Sequence, residues 1–448
     1  MRFRHLVVPR RAARPLTIAS VLLLMGTALF AAGALLLPAS GPPAAPVSAG
    51  GTGTERSEHR TESRIAALQS RLRRLPEDYD AWAQLGIAYT EHAQRTADPR
   101  YYPKADKALT RSMSLHPRDN HLAQLGRGAL AAGRHDFAAA LAHARTAVRI
   151  NPHHAASYGV LADAHLQLGH YEQSFDATQK MVDLLPATPS LARASYAWEL
   201  RGDADLATEL MRRALGAAGS PADAVFARHH LALLTLRQDP EEADRVIRSG
   251  LRAAPREPAL LEARARAHLA RGDTRKALRD YTAAAARVPR PAHLLAIGEL
   301  HESLGHHRRA EAQYDLYRDQ LRLLDEAKVA ADAEAVLFEA DHGDPGRAVR
   351  LGRTAVKEQP FLASQDAYAW ALHRAGRDEE ALAFADRALH LGTLNPLHHF
   401  HRGMIHSALG NEAAARRDLD AALDIDPRFH PLHAPAARAA LSQNGPVT

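Results

Sequence analysis

A chain of 448 residues without cysteine excludes disulfide staples, thiol catalysis, cysteine-based zinc sites and a cysteine-linked lipid. The formal charge of +6 is concentrated at one end, since Arg2, Arg4, Arg10, Arg11 and Arg14 precede the first acidic residue. Without those five, 52 Lys and Arg face 51 Asp and Glu, a balance that gives little support for the basic stripe nucleic-acid binding usually needs, and no nucleic-acid partner is expected.

Residues 1–15 form the basic tip. Residues 16–37, Leu16 to Leu37, carry neither charge nor proline. As a helix this stretch spans about 33 Å, enough for the hydrocarbon core of a bilayer. Arginines before it predict a single-pass membrane anchor with a cytoplasmic N-terminus and the rest of the chain outside the cytoplasm. The rival reading is a secretory signal cleaved after Val47–Ser48–Ala49, although its apolar region exceeds the usual 7–15 residues. Residues 38–60 are rich in Gly, Pro, Ser, Thr and Ala and predict a disordered linker. In 61–77, Ile65, Leu68, Leu72 and Leu75 recur at helical spacing and predict an N-terminal capping helix.

The stretch 78–428 repeats itself. Glycines fall at Gly133, Gly169, Gly202, Gly272, Gly305, Gly343, Gly376 and Gly410, at gaps close to 34 residues or twice that. Alanines follow five residues later at Ala207, Ala277, Ala310, Ala348, Ala381 and Ala415. Prolines close several units at Pro186, Pro255, Pro289, Pro360 and Pro427. Each glycine suits a tight turn or helix C-cap, each alanine a close helix approach, and each proline a helix end. One such unit cannot bury its apolar face alone, so about ten must stack into an all-α superhelical solenoid of helix-turn-helix repeats. Residues 429–448 supply a C-terminal capping helix and tail.

Three places break the period. The first unit carries about seven extra residues around His92 to Arg100, followed by Tyr101 and Tyr102, which read as a loop packed on its own repeat or as a binding lip. The 37 residues His306 to His342 contain no Gly or Pro, so a long second helix running past Tyr317 toward Leu324 is expected. In the fifth unit Gln238–Asp239–Pro240 replaces the turn glycine, with Pro240 suited to a first helical turn.

The pattern resembles the tetratricopeptide repeat. Trp82, Leu85, Gly86 and Tyr89 open the first unit; Gly272, Ala277, Tyr281, Ala284 and Pro289 mark the sixth; Gly403, Gly410, Ala415, Leu419, Ala422 and Pro427 mark the last. The runs Thr96–Ala105, Leu191–Tyr196 with Arg201–Gly202–Asp203, and Phe400–Ile405 are similar to those of a group of bacterial, largely actinobacterial, membrane-anchored repeat proteins. The resemblance implies a concave groove lined by the first helix of each unit. Carried over in register, it selects Arg127, Asp163, Gln167, Tyr196, Glu199, Arg228, Glu262, Arg266, Glu299, Glu302, Trp370, His373, Arg374, Phe400 and Met404 as partner-binding residues. Trp370, Phe400 and Met404 are expected to form an apolar anchor for a peptide or helix, and packing between helices is the competing role for Trp370 and Phe400.

No catalytic residue is assigned. There is no phosphate loop, His-Glu-x-x-His or Gly-x-Ser-x-Gly, and Gly126–Arg127–Gly128 lacks the strand that a dinucleotide fingerprint requires. The 27 histidines are the one compositional oddity. Neighbours such as His153–His154, His229–His230, His306–His307 and His398–His399 point about 100° apart on a helix, so no metal site and no cofactor is assigned. His165, His268, His301 and His406 recur at one helical position and read as packing residues. The sequence therefore predicts a non-catalytic scaffold for a protein or peptide, tethered to the outer face of the membrane. The alternatives are a histidine-rich metal- or solute-handling envelope protein and a secreted adaptor. The oligomeric state is not legible.

Overall fold

The computed structural model describes residues 53–443, with side chains from residue 61. The tip, the membrane-anchor segment and most of the linker lie outside the described residues. Among the described residues there is no strand, and no helix is long and apolar enough to cross a membrane.

Twenty-two α-helices make up this region, in ten antiparallel hairpins flanked by one helix at each end. The N-terminal helix is α1 (Gly53–Arg74), which begins inside the stretch read as linker. The first five hairpins are α2 (Tyr79–Thr96) with α3 (Tyr102–Leu115), α4 (His121–Gly133) with α5 (Phe137–Ile150), α6 (Ala155–Gln167) with α7 (Tyr171–Leu184), α8 (Thr188–Glu199) with α9 (Ala204–Gly216), and α10 (Pro221–Thr235) with α11 (Pro240–Ala253). The next five are α12 (Pro258–Ala270) with α13 (Thr274–Ala285), α14 (Pro291–Ser303) with α15 (His307–Glu326), α16 (Ala333–His342) with α17 (Pro345–Glu358), α18 (Leu362–Arg374) with α19 (Asp378–Leu389), and α20 (Pro396–Ala408) with α21 (Glu412–Ile425). The last helix is α22 (His433–Gln443).

Local chemistry explains these boundaries. Asp136, Asp203, Asp239, Asp273 and Asp344 accept backbone N–H bonds at the start of α5, α9, α11, α13 and α17. The periodic alanines are buried where the two helices of a hairpin cross. Gly169, Gly202, Gly272, Gly305, Gly376 and Gly410 hold the left-handed turn conformation. Gly133 and Gly343 do not. In the second hairpin His135 takes the positive φ of 61° instead, and Gly133 is a buried helical residue against Tyr102. Ile65, Leu68 and Leu72 of α1 are buried on α2, but Leu75 points to solvent beyond the end of the helix.

The array coils tightly enough for its turns to touch. The backbone N–H of Ala330 donates to the Arg134 carbonyl at 3.1 Å, and His135 Nδ1 lies 3.0 Å from the Ala330 carbonyl. Arg237 donates to the Ile425 carbonyl and to Asp426 at 3.1 and 2.7 Å. Gly169 sits against the Pro360 carbonyl and Gly202 against the Gly392 carbonyl. These contacts join residues 188 to 196 apart in sequence, so one coil takes between roughly five and six repeats of about 34 residues. The hairpin turns of repeats two to five thus seat on the inter-repeat loops, or on the last loop, of the following coil. The apolar core crosses the same boundary, with Phe361 and Leu362 packed among Leu191, Tyr196, Leu200 and Leu231.

Two of the sequence irregularities meet in this contact. The insertion forms a left-handed cap at Ala97 and a short 3-10 turn, Pro99–Tyr101, which lays Tyr101 against Tyr89 and His92 of its own hairpin. The elongated α15 runs past Leu324, and Leu324, Ala327 and Val329 complete the core that holds Tyr102 and Leu109. The extra turns of repeat seven therefore cover repeat one.

Candidate binding cavity inside the coil

The first helices of the hairpins face the coil axis, but the channel is not an open groove. At one end α1 packs on α2 and also touches α10. At the other end the chain after α21 turns inward: Arg428 donates to the Ala270 carbonyl, His430 meets Glu299 at 3.2 Å, and His433 meets Asp341 at 3.2 Å. What remains is a cavity of about 250 Å³. Leu233, Leu269, Leu295, Leu337, Phe338 and Leu397 form part of its apolar wall, and Glu262, Arg266, Glu299, Glu334, Asp341 and Asp366 are among its charged groups.

Most of the acids are held by a base or donor one repeat further on. Arg193 makes a two-pronged ion pair with Asp163, at 2.9 and 2.6 Å. His293 Nε2 lies 3.4 Å from Glu262, and Arg266 binds the other Glu262 oxygen at 3.2 Å. Trp370 donates its indole N–H to Asp341 at 2.8 Å. His401 Nδ1 sits 2.9 Å from Asp366 Oδ2, with His398 at 3.7 Å. These pairs offset the burial of Glu299, whose carboxyl His430 and His342 draw down to about 2, and they hold the Asp341 and Asp366 carboxyls below their usual range against desolvation. The histidines here are inter-repeat partners for carboxylates. Among the described residues no group of three or more His, Asp or Glu is arranged to hold a metal ion.

The histidines of the shared helical position have a local role. His165 packs with His170, His301 with His306, and His406 with Asn411, in each case bridging the hairpin turn. His268 faces Asp280. Burial and the nearby Arg145 and His170 push the His165 imidazole down to about 4.

Of the fifteen groove residues chosen from sequence, Gln167, Tyr196, Glu262, Arg266 and Glu299 line the cavity together. The others are elsewhere. Trp370 and Phe400 are only 3% and 1% exposed, packed against His401, His433 and each other. No partner can reach them without unfolding the C-terminal repeats, so the expected aromatic anchor is corrected to core; Met404 packs on the same core. Asp163 is closed by Arg193. Arg228 lies along Gly250 of its own hairpin, Arg127 reaches only Thr110, Glu302 binds Tyr314 and His342, His373 binds Asp378, and Arg374 binds the Ala340 carbonyl. Asp366, His401, Glu334 and Asp341 were not selected. For Asp366 and His401 the signal was an acid and a base on successive first helices, 35 residues apart.

Glu199 is 0% exposed, and neither carboxylate oxygen has a hydrogen-bond partner. Burial pushes its carboxyl well above the ordinary range, with Arg237 opposing. The folded chain therefore keeps a proton that the unfolded chain releases above pH about 4.3, and stability falls as pH rises past that point. Glu199→Gln removes this loss. The variant should melt with the native chain near pH 4 and roughly 2–4 °C above it at pH 8, as thermal denaturation at the two pH values will read.

An all-helical coil that closes around a lined cavity defines a helical-repeat scaffold. Two family models, both described as tetratricopeptide repeat, match residues 123–192 and 262–322 and residues 399–429, so the chain carries tetratricopeptide repeats over those stretches. No curated protein matches the chain. Among solved structures, the human IFIT1 dimer with PPP-AAAA is similar at 14% identity over 82% of this chain and 87% of its own, with a TM-score of 0.44. A tetratricopeptide repeat protein from Parabacteroides merdae shares 20% identity over 57% and 98%, with a TM-score of 0.33. Yeast Tom70 shares 15% over 88% and 95%, with a TM-score of 0.31.

Proposed function

We propose that this chain is a non-catalytic scaffold that binds a partner protein or peptide on the inner face of its repeat coil, held at the outer side of the cytoplasmic membrane by residues 16–37. The observation that carries the reading is the concave face itself. The repeats converge on one cavity whose walls are apolar and whose charged groups are mostly acidic, a surface suited to a chain segment rather than to a phosphate backbone. The basic tip and the uncharged 22-residue stretch support the tether. The metal-handling alternative lacks an arrangement of ligands among the described residues.

The test is site-specific photo-cross-linking in cells, with the probe at Leu337 on the cavity wall or at the exposed Arg279 on the outer helix α13. A discrete adduct from Leu337 and none from Arg279 is expected. Adducts of equal yield from both positions, or none from Leu337 in membranes that contain the protein, would overturn the reading. The mass of the mature N-terminus decides between anchor and secreted adaptor, since cleavage after Ala49 removes the tether.

A further inference from the structure

We propose that the cavity recognises an organic cation, a primary ammonium or guanidinium carried on an apolar chain. The inference deepens the scaffold reading and rests on it for the choice of the inner face. Two independent observations converge.

The first is unfilled acceptor capacity in a buried place. Asp366 is 1% exposed and His401 0%, and both line the cavity. The Asp366 Oδ2–His401 Nδ1 bond at 2.9 Å uses one atom of each. Asp366 Oδ1 and His401 Nε2 have no hydrogen-bond partner. With Nδ1–H donating to the carboxylate, Nε2 is an acceptor, as is Oδ1. Each of these two buried acceptors calls for a donor, and an ammonium or guanidinium carries several. The Thr393 hydroxyl, also buried and unpartnered on the lining, serves as donor or acceptor.

The second is charge. Glu262, Glu299, Asp341 and Asp366 each have a basic partner, whereas Glu334 makes no ion pair among the described residues. Arg266, whose charge acts on it, is already bound to Glu262. Burial and the carboxylates of Asp332, Glu299 and Glu262 push the Glu334 carboxyl well up, and the Tyr317 hydroxyl only partly offsets them. The free cavity thus keeps Glu334 as a neutral acid; an ammonium or guanidinium beside it favours the carboxylate and takes up its charge, whereas an anion does neither. The leucine and phenylalanine walls take the ligand's apolar body.

The cation is either a free amine or the lysine, arginine or N-terminus of a partner chain. Calorimetric titration of the full chain in mild detergent with butylammonium and butylguanidinium tests the shared chemistry, with butyrate and butanol as controls. Saturable binding of the cations alone is expected, weakened at least tenfold by Glu334→Gln and by Asp366→Asn. Glu334 is half-buried and unpaired, so its variant should fold even where the Asp366 variant does not, with melting temperature checking both. A blocked alanine-lysine-alanine peptide binding tighter than butylammonium assigns the cation to a partner chain; butylammonium binding without the peptide assigns it to a free amine. No saturable response to either cation, equal binding of butyrate, or undiminished binding to folded Glu334→Gln would overturn the proposal. None of these results bears on whether Leu337 cross-links a protein, so the two readings fail separately.

Discussion

Arg193→Met should lower the stability of the chain by about 3–5 kcal/mol, the range for breaking a buried ion pair from one side. Asp163 and Arg193 are both buried, and the guanidinium meets the two carboxylate oxygens in parallel while also donating to the Pro189 carbonyl at 3.1 Å. Removing the base leaves Asp163 charged and unsatisfied between the third and fourth repeats. The double variant Asp163→Leu/Arg193→Met should recover most of the loss, because an apolar pair of similar volume has no stranded charge. Denaturant titration of the three variants measures this. A single variant within about 1 kcal/mol of the native chain would mean that water reaches the pair.

Gly202→Ala should cost about 3 kcal/mol and Gly376→Ala only about 1 kcal/mol, from left-handed strain in both and overpacking in the first alone. The two glycines hold nearly the same backbone, with φ of 74° and 73°. Their surroundings differ. A Cβ on Gly202 would stand 2.5 Å from the Gly392 carbonyl oxygen on the next coil, whereas one on Gly376 meets nothing within 4 Å. The difference between the two melts isolates the contact between coils from the turn itself. Equal losses would show that the coils do not press on each other at this point.

Local features of the fold were legible because they are local. The periodic glycines, alanines and prolines act within one hairpin, so ten hairpins could be read directly from their spacing. The long α15 was legible from its lack of helix breakers. The contacts between coils were not, because nothing about Ala330 or Gly392 in isolation points to Arg134 or Gly202. The site reading failed for the same reason. Trp370 and Phe400 do lie on first helices, but the segment through His430 and His433 folds back over them. Only a few of the selected residues, such as Tyr196, Glu262 and Glu299, line the inner cavity as a simple groove would place them. Asp366 and His401 stayed hidden because each looks ordinary alone, and the pair forms only once α18 and α20 are stacked.

The seating of one coil on the next also fixes the length of the molecule. In a solenoid whose units touch only their neighbours, a unit can be lost or duplicated and the rest simply closes up. Here the turn at Gly169 must find Pro360, the turn at Gly202 must find Gly392, and Arg237 must find Asp426. Excising one hairpin between them would move all of these seats out of phase together. The chain is therefore a counted object: distant repeats are bound to melt in concert, and a change in repeat number becomes a change of fold rather than of reach.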